Sequence, residues 1–134
     1  MARDVVERIL AGYAAFNRGN FDQALEGMPE DVEWVAPESF LEPGPHRGPE
    51  GVRRFWEAWR ESFETFTLEI EDVHDLGEHL VVIARIHGTG RDSGAPVTTP
   101  TFPHVWTLDG DQVTRMEMFT SSDAAAEAIG RDWR

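Results

Sequence analysis

Two stretches in the second half of the sequence carry side chains whose types and spacing could move a proton. In HLVVIARIHG, from His79 to Gly88, alternation puts Val81, Ile83, Arg85 and His87 on one face of a strand and Val82, Ala84 and Ile86 on the other. In VTTPTFPHVWTL, from Val97 to Leu108, the same period gathers Phe102, His104, Trp106 and Leu108. An imidazole has an unperturbed pKa of about 6.5 and can take or return a proton near neutrality. A fixed guanidinium can stabilise an enolate or carboxylate as the proton leaves. His104 and His87 are therefore candidate general acids or bases, and Arg85 a candidate anion stabiliser. Tyr13, in the first helical segment, is a candidate hydrogen-bond donor to the same carbonyl.

Which face of the His79–Gly90 strand looks inward decides the fate of two of these groups. If the odd face is inner, Arg85 and His87 point into a pocket; if the even face is, they are solvated or at a subunit interface. A register slip of one residue exchanges the two outcomes. His104 has a structural alternative as a hydrogen-bonded core histidine, and Arg85 as a partner of a nearby carboxylate.

The elements that must position these groups can be read from hydrophobic period and turn residues. From Arg3 to Arg18 the apolar residues Val6, Ile9, Leu10, Tyr13 and Phe16 recur at helical spacing, and Gly19 stops the run. Phe21 to Met28 reads as a short second helix capped by Asn20. Asp31 to Ala36 alternates as a strand with Val32, Trp34 and Ala36 on one face. Pro37 to Pro49, with four prolines and two glycines, reads as a loop that could cover a pocket. Glu50 to Phe63 is helical, with Val52, Phe55, Trp56, Trp59 and Phe63 forming an aromatic stripe that needs a sheet to cover it. Strands are expected at Phe66–Leu76, His79–Gly90, Val97–Leu108 and Gln112–Thr120, joined by short turns as an antiparallel meander, with a terminal helix from Ser122 to Ile129. In the last strand Met116, Met118 and Thr120 are expected to face inward, with Arg115, Glu117 and Phe119 outside.

Composition bounds the function. A length of 134 residues suits one domain, and five Trp with eight Phe suffice for a core and an aromatic pocket wall. Trp34, Trp56, Trp59 and Trp106 serve as core or as ligand wall. A net charge of −13 repels phosphate backbones and anionic lipid, so neither nucleic acid nor membrane is an expected partner. The absence of cysteine excludes thiolate chemistry and disulfides. The five histidines, at 46, 74, 79, 87 and 104, contain no helical metal-ligand pair, although His87 and His104 could meet across adjacent strands. No metal and no cofactor is expected. The charged, amphipathic start of the chain lacks the apolar core of a signal peptide, and a cytoplasmic protein is the expectation.

The order of these elements resembles the SnoaL-like, nuclear-transport-factor-2-like superfamily. The local signatures that carry the resemblance are AAFNRGNFDQAL, DVEWVAP, RGPEGVRRFWEAW, TGRDSGAPV and HVWTLDGDQVTRMEMF with its Ser-Asp-Ala tail. It implies an α+β fold over residues 1–134 as a single domain: a cone-shaped, strongly curved mixed β-sheet wrapped around N-terminal helices, a cystatin-like roll. It also implies a pocket for a small apolar organic molecule, lined by Tyr13, Trp34, Trp56, Trp59, Phe102, Trp106, Met116 and Met118, and commonly a homodimer through the outer sheet face. Ketosteroid isomerases, polyketide cyclases, epoxide hydrolases, dehydratases and non-catalytic modules share this fold, so fold alone does not choose among them. His104 matches the position of a pocket acid in the isomerases and cyclases. The isomerase base would fall near Ala36, which cannot take a proton. The hydrolase pattern keeps its Arg at Arg85 but has His87 and Met118 in place of its acids. The expected function is therefore small-molecule binding with a cofactor-independent proton transfer of cyclase, isomerase or dehydratase (lyase) type. The alternative is a non-catalytic binding or dimerisation module, and epoxide hydrolysis comes last.

Overall fold

The structure is a computed structural model and describes residues 3–40 and 42–134. Helix α1 (Arg3–Asn17) buries Val5, Ile9, Tyr13 and Phe16 as one stripe, with Val6 and Leu10 half-buried at its margin. Val5, one residue before the expected Val6, is thus the fully buried member of the first turn. Asn20 caps the second helix as expected, its Oδ1 accepting from the Gln23 N–H at 3.2 Å. That helix, α2 (Phe21–Leu25), is a short piece ending before the expected Met28.

Strand β1 (Glu33–Ala36) leads into the proline-rich segment, which contains two regular elements where a loop was expected. Strand β2 (Gly44–Arg47) pairs antiparallel with β1, and helix α3 (Gly48–Glu61) begins two residues before the expected Glu50. The physical reason is that proline is excluded only from interiors. Pro45 sits on an edge strand, and Pro49 sits in the first turn of α3, where its missing N–H has no helical acceptor to lose. Gly48 makes this junction possible. Its φ is +69°, its N–H donates to the Val32 carbonyl at 2.8 Å, and a Cβ there would lie 2.8 Å from the Glu30 carbonyl oxygen.

The remaining strands are β3 (Phe63–Asp75), β4 (His79–Gly90), β5 (Pro96–Thr98), β6 (Phe102–Asp109) and β7 (Gln112–Met118), followed by helix α4 (Ser122–Ile129). All seven strands form one curved, unclosed sheet in the order β2-β1-β7-β6-β4-β3, with β5 beside β4. The expected antiparallel meander is present from β3 to β7, and the parallel pairing of β1 with β7 makes the sheet mixed. The expected single strand from Val97 to Leu108 is two, because Pro100 cannot donate to the ladder. At this break the Thr99 hydroxyl accepts the Ile86 N–H at 2.9 Å, and the Thr99 N–H returns to the Ile86 carbonyl at 3.0 Å. The last strand stops at Met118, so Thr120 is exposed rather than inward.

Helices α1, α2 and α3 pack with the inner face of the sheet around one core that includes Trp34, Phe55, Trp56, Leu80, Val82, Ala84, Trp106 and Met116. On the outer face, α4 lays Ala125 over Val81 and Val105, with Ile83, Phe119, Ile129 and Trp133 alongside. Among the described residues, no helix is long and apolar enough to cross a membrane.

Candidate functional site

The even face of β4 is the inner one. Leu80, Val82, Ala84 and Ile86 are buried in the core, so Arg85 and His87 stand on the outer face of the sheet. Of the two registers that alternation left open, this is the one that removes them from the interior. The cause is the chemistry of the two faces: four uninterrupted apolar side chains close against the helices, while the other face is covered by α4 at Val81 and Ile83 and carries its charged end at Arg85 and His87 beyond that cover. Arg85 pairs with Glu71 at 2.7 Å across the β3–β4 ladder. His87 pairs with the Glu69 carboxylate and lies 3.1 Å from the Thr98 hydroxyl. His87 and His104 lie on opposite faces and do not form a joint site. Among the described residues no group of three His, Cys, Asp or Glu side chains is placed to hold a metal ion.

The inner face of β6 presents Phe102, His104, Trp106 and Leu108, as the alternation predicts. His104 is fully buried, opposite Val82 on β4 and Met118 on β7. Tyr13 reaches it from α1: the phenol oxygen is 2.7 Å from His104 Nδ1, and the Trp106 indole N–H donates to that same oxygen at 2.9 Å. The Tyr13 and His104 rings stack with centroids 5.7 Å apart, and Trp106 meets Tyr13 edge-on at 5.9 Å. An indole N–H can only donate, so the phenol oxygen accepts from Trp106; toward His104 the same oxygen either donates its proton to Nδ1 or accepts from Nδ1–H, according to the tautomer of the ring. Nε2 on the other side of the ring is buried and has no partner.

Burial disfavours the charged form of each group. It lowers the His104 pKa from 6.5 to about 3, so the ring is neutral at neutral pH. It raises the Tyr13 phenol well above the usual tyrosine range, against the opposing pull of the Trp106 hydrogen bond. The resting pair is thus uncharged, a relay of hydrogen bonds in place of an ion pair.

Beside this pivot lies a cavity of about 50 Å³ between α1, α2, α3 and the sheet. Tyr13, Phe16, Trp34, Trp56 and Trp106 wall its interior, and the exposed Arg8 and Glu26 with the half-buried Met28 mark its mouth. The volume is well below the roughly 300–1,000 Å³ of drug-sized sites, so it takes a compact group or the head of a longer molecule. Two polar atoms on its wall residues, the indole nitrogens of Trp34 and Trp56, are buried and lack any hydrogen-bond partner.

Of the residues expected to contact a ligand, Tyr13, Trp34, Trp56, Trp59 and Trp106 line this cavity. Phe102, Met116 and Met118 do not; they pack in the core, where Phe102 meets the His104 ring at 5.1 Å. His104 itself lies behind Tyr13, outside the lining. The wall contributed by α2 and its neighbours, Ala24, Glu26 and Met28, was missed, because a five-residue helix has too little period to say which way it faces. Gly12 carried a usable signal: a glycine inside a helical stripe leaves room, and here it is part of the cavity wall.

The chain belongs to the SnoaL-like domain family, whose model matches residues 9–116. Its fold is similar to that of TerC co-crystallised with polyporic acid, at 29% identity and a TM-score of 0.76 over 94% of this chain and 98% of that one. It is also similar to a nuclear-transport-factor-2-like protein of unknown function from Burkholderia pseudomallei, at 21% identity and a TM-score of 0.78 over 99% and 100%. A third structure, a hypothetical protein with a ketosteroid isomerase-like fold from Catenulispora acidiphila in complex with trimethylamine, aligns at 15% identity with a TM-score of 0.72 over 100% and 99%. No curated protein matches the chain at a significant level.

Proposed function

We propose that this chain binds a small, largely apolar organic molecule in the cavity beneath α1 and α2. The observation that carries the reading is an aromatic-walled cavity inside the core whose mouth reaches the surface at Arg8 and Glu26. The co-crystallisation of TerC with polyporic acid, an organic ligand on a similar fold, supports it.

The Tyr13–His104 contact favours a second reading, a cofactor-independent proton transfer of cyclase, isomerase or dehydratase type on a carbonyl compound. There the Tyr13 O–H would donate to a substrate oxygen and stabilise the enolate, while the Glu26 carboxylate at the mouth of the cavity takes the carbon-bound proton. His104 would hold the phenol in place as a positioning residue. Arg85 and His87, paired with carboxylates on the outer face, have no part in this chemistry. Epoxide hydrolysis has the least support, since Arg85 is remote from the cavity and Met118 stands where an acid is needed. A homodimer through the outer sheet face belongs to the same proposal and is checked by light scattering coupled to size exclusion.

The test is a thermal-shift screen against ketones, lactones, epoxides and polyketide-like aromatics, with product analysis on each compound that stabilises the protein. A stabilising compound that is turned over by wild type and not by Tyr13→Phe establishes the enzyme. A stabilising compound left unchanged establishes the binding module. A screen in which nothing stabilises the protein sinks both.

A further inference from the structure

The two tryptophans of α3 are held differently. Trp56 is sealed in the core at 3% exposure, whereas Trp59, in the last turn of the helix, is half-buried. Trp59 lines the cavity of about 50 Å³ described above. It also lines a second space, a groove of about 240 Å³ walled mainly by Phe40, Phe55, Ala58 and Phe63, with Glu42 as its charged member. Among the described residues Trp59 is the one residue common to both walls. Its ring has aromatic neighbours from each space: Phe16 of the cavity at 6.1 Å between centroids, and Phe40 and Phe55 of the groove at 5.7 Å each.

Neither space alone reaches the roughly 300 Å³ at which drug-sized sites begin, and joined they come close to it. Resting on the ligand-binding reading above, we propose that Trp59 sets the length of the ligand. With the indole in place the cavity takes a compact head; with the indole removed the site continues into the groove and takes a molecule that carries an aromatic ring behind that head. The groove suits such a ring, because Phe40, Phe55 and Phe63 offer it edge-to-face and offset partners. Glu42 in the groove wall and the net charge of −13 disfavour an anionic tail, so the ring is an uncharged one.

The experiment uses the full chain and the pair butan-2-one and 4-phenylbutan-2-one, which share a methyl-ketone head and differ by one phenyl ring. Their affinities are measured by ligand-observed NMR titration on wild type and Trp59→Leu, with Trp59→Phe as the milder variant should Trp59→Leu fail to fold by circular dichroism. The expected result is that the preference for the phenyl ketone over butan-2-one grows about tenfold from wild type to Trp59→Leu, the low end of what burying one phenyl ring supplies, and grows by less in Trp59→Phe. Adding Phe40→Ala to Trp59→Leu is expected to take back most of that gain, which a merely loosened core would not do. An unchanged preference, or a gain that survives Phe40→Ala, overturns the inference and leaves the binding reading standing. Binding of neither ketone by wild type or variants overturns both.

Discussion

Tyr13 ties α1 to β6 through two hydrogen bonds made by one oxygen, so its hydroxyl does more for the fold than its ring area suggests. Tyr13→Phe keeps the packing but strands the Trp106 N–H and the His104 Nδ1, both buried. A loss of about 1–3 kcal/mol follows from leaving buried groups unsatisfied, to be read from urea denaturation; a loss below about 0.5 kcal/mol would mean that water replaces the hydroxyl. The imidazole has its own signature. In the folded chain His104 resists protonation down to about pH 3, whereas in the unfolded chain it takes a proton near 6.5. Between those values the unfolded state holds more protons, so stability is intact above pH 6.5 and falls as the pH is lowered, by up to about 1.4 kcal/mol per pH unit from this group. Stability measured at pH 7, 6 and 5 should therefore slope downward less in His104→Gln than in wild type. Identical slopes would place the lost stability elsewhere.

The two long strands β3 and β4 cross so closely that one position on them has no room for a side chain. A Cβ at Gly88 would lie 2.2 Å from the Thr65 carbonyl oxygen, an atom of the backbone ladder that cannot swing aside. Gly88→Ala is expected to cost about 2–4 kcal/mol by forcing these strands apart, in the range of overpacked or strained sites. A variant with wild-type Tm would show that the hairpin relaxes freely. The outer face offers a milder case. Helix α4 is capped by Ser121, whose hydroxyl accepts the Ala124 N–H at 3.1 Å. Removing that cap with Ser121→Ala is expected to cost about 1 kcal/mol and to raise amide exchange in α4 before it does so in the sheet. Exchange rising everywhere at once would show instead that α4 and the sheet open as one unit.

For the molecule as a whole, a net charge of −13 spread over 134 residues makes the compact state repel itself. Raising NaCl from 10 to 150 mM shortens the screening length from roughly 30 to roughly 8 Å, and Tm is expected to rise. A fall in Tm would show that the surface pairs, such as Arg47 with Glu33 and Arg85 with Glu71, outweigh the repulsion. What the sequence determined by itself is what short range decides. The period of α1, the aromatic stripe of α3, the alternation of β4 and β6 and the turns between strands depend on neighbours a few residues apart, and these emerged close to their expected places. The pairing of Tyr13 with His104 across 91 positions depends on how the sheet folds over the helices, and no local pattern encodes that distance. The same holds for Arg85 and His87: alternation says that they share a face, but only the closure of Val82, Ala84 and Ile86 against the helices makes it the outer one. Burial, a property of the assembled core, then turned His104 from a titrating imidazole into a neutral one and left the indole nitrogens of Trp34 and Trp56 without partners.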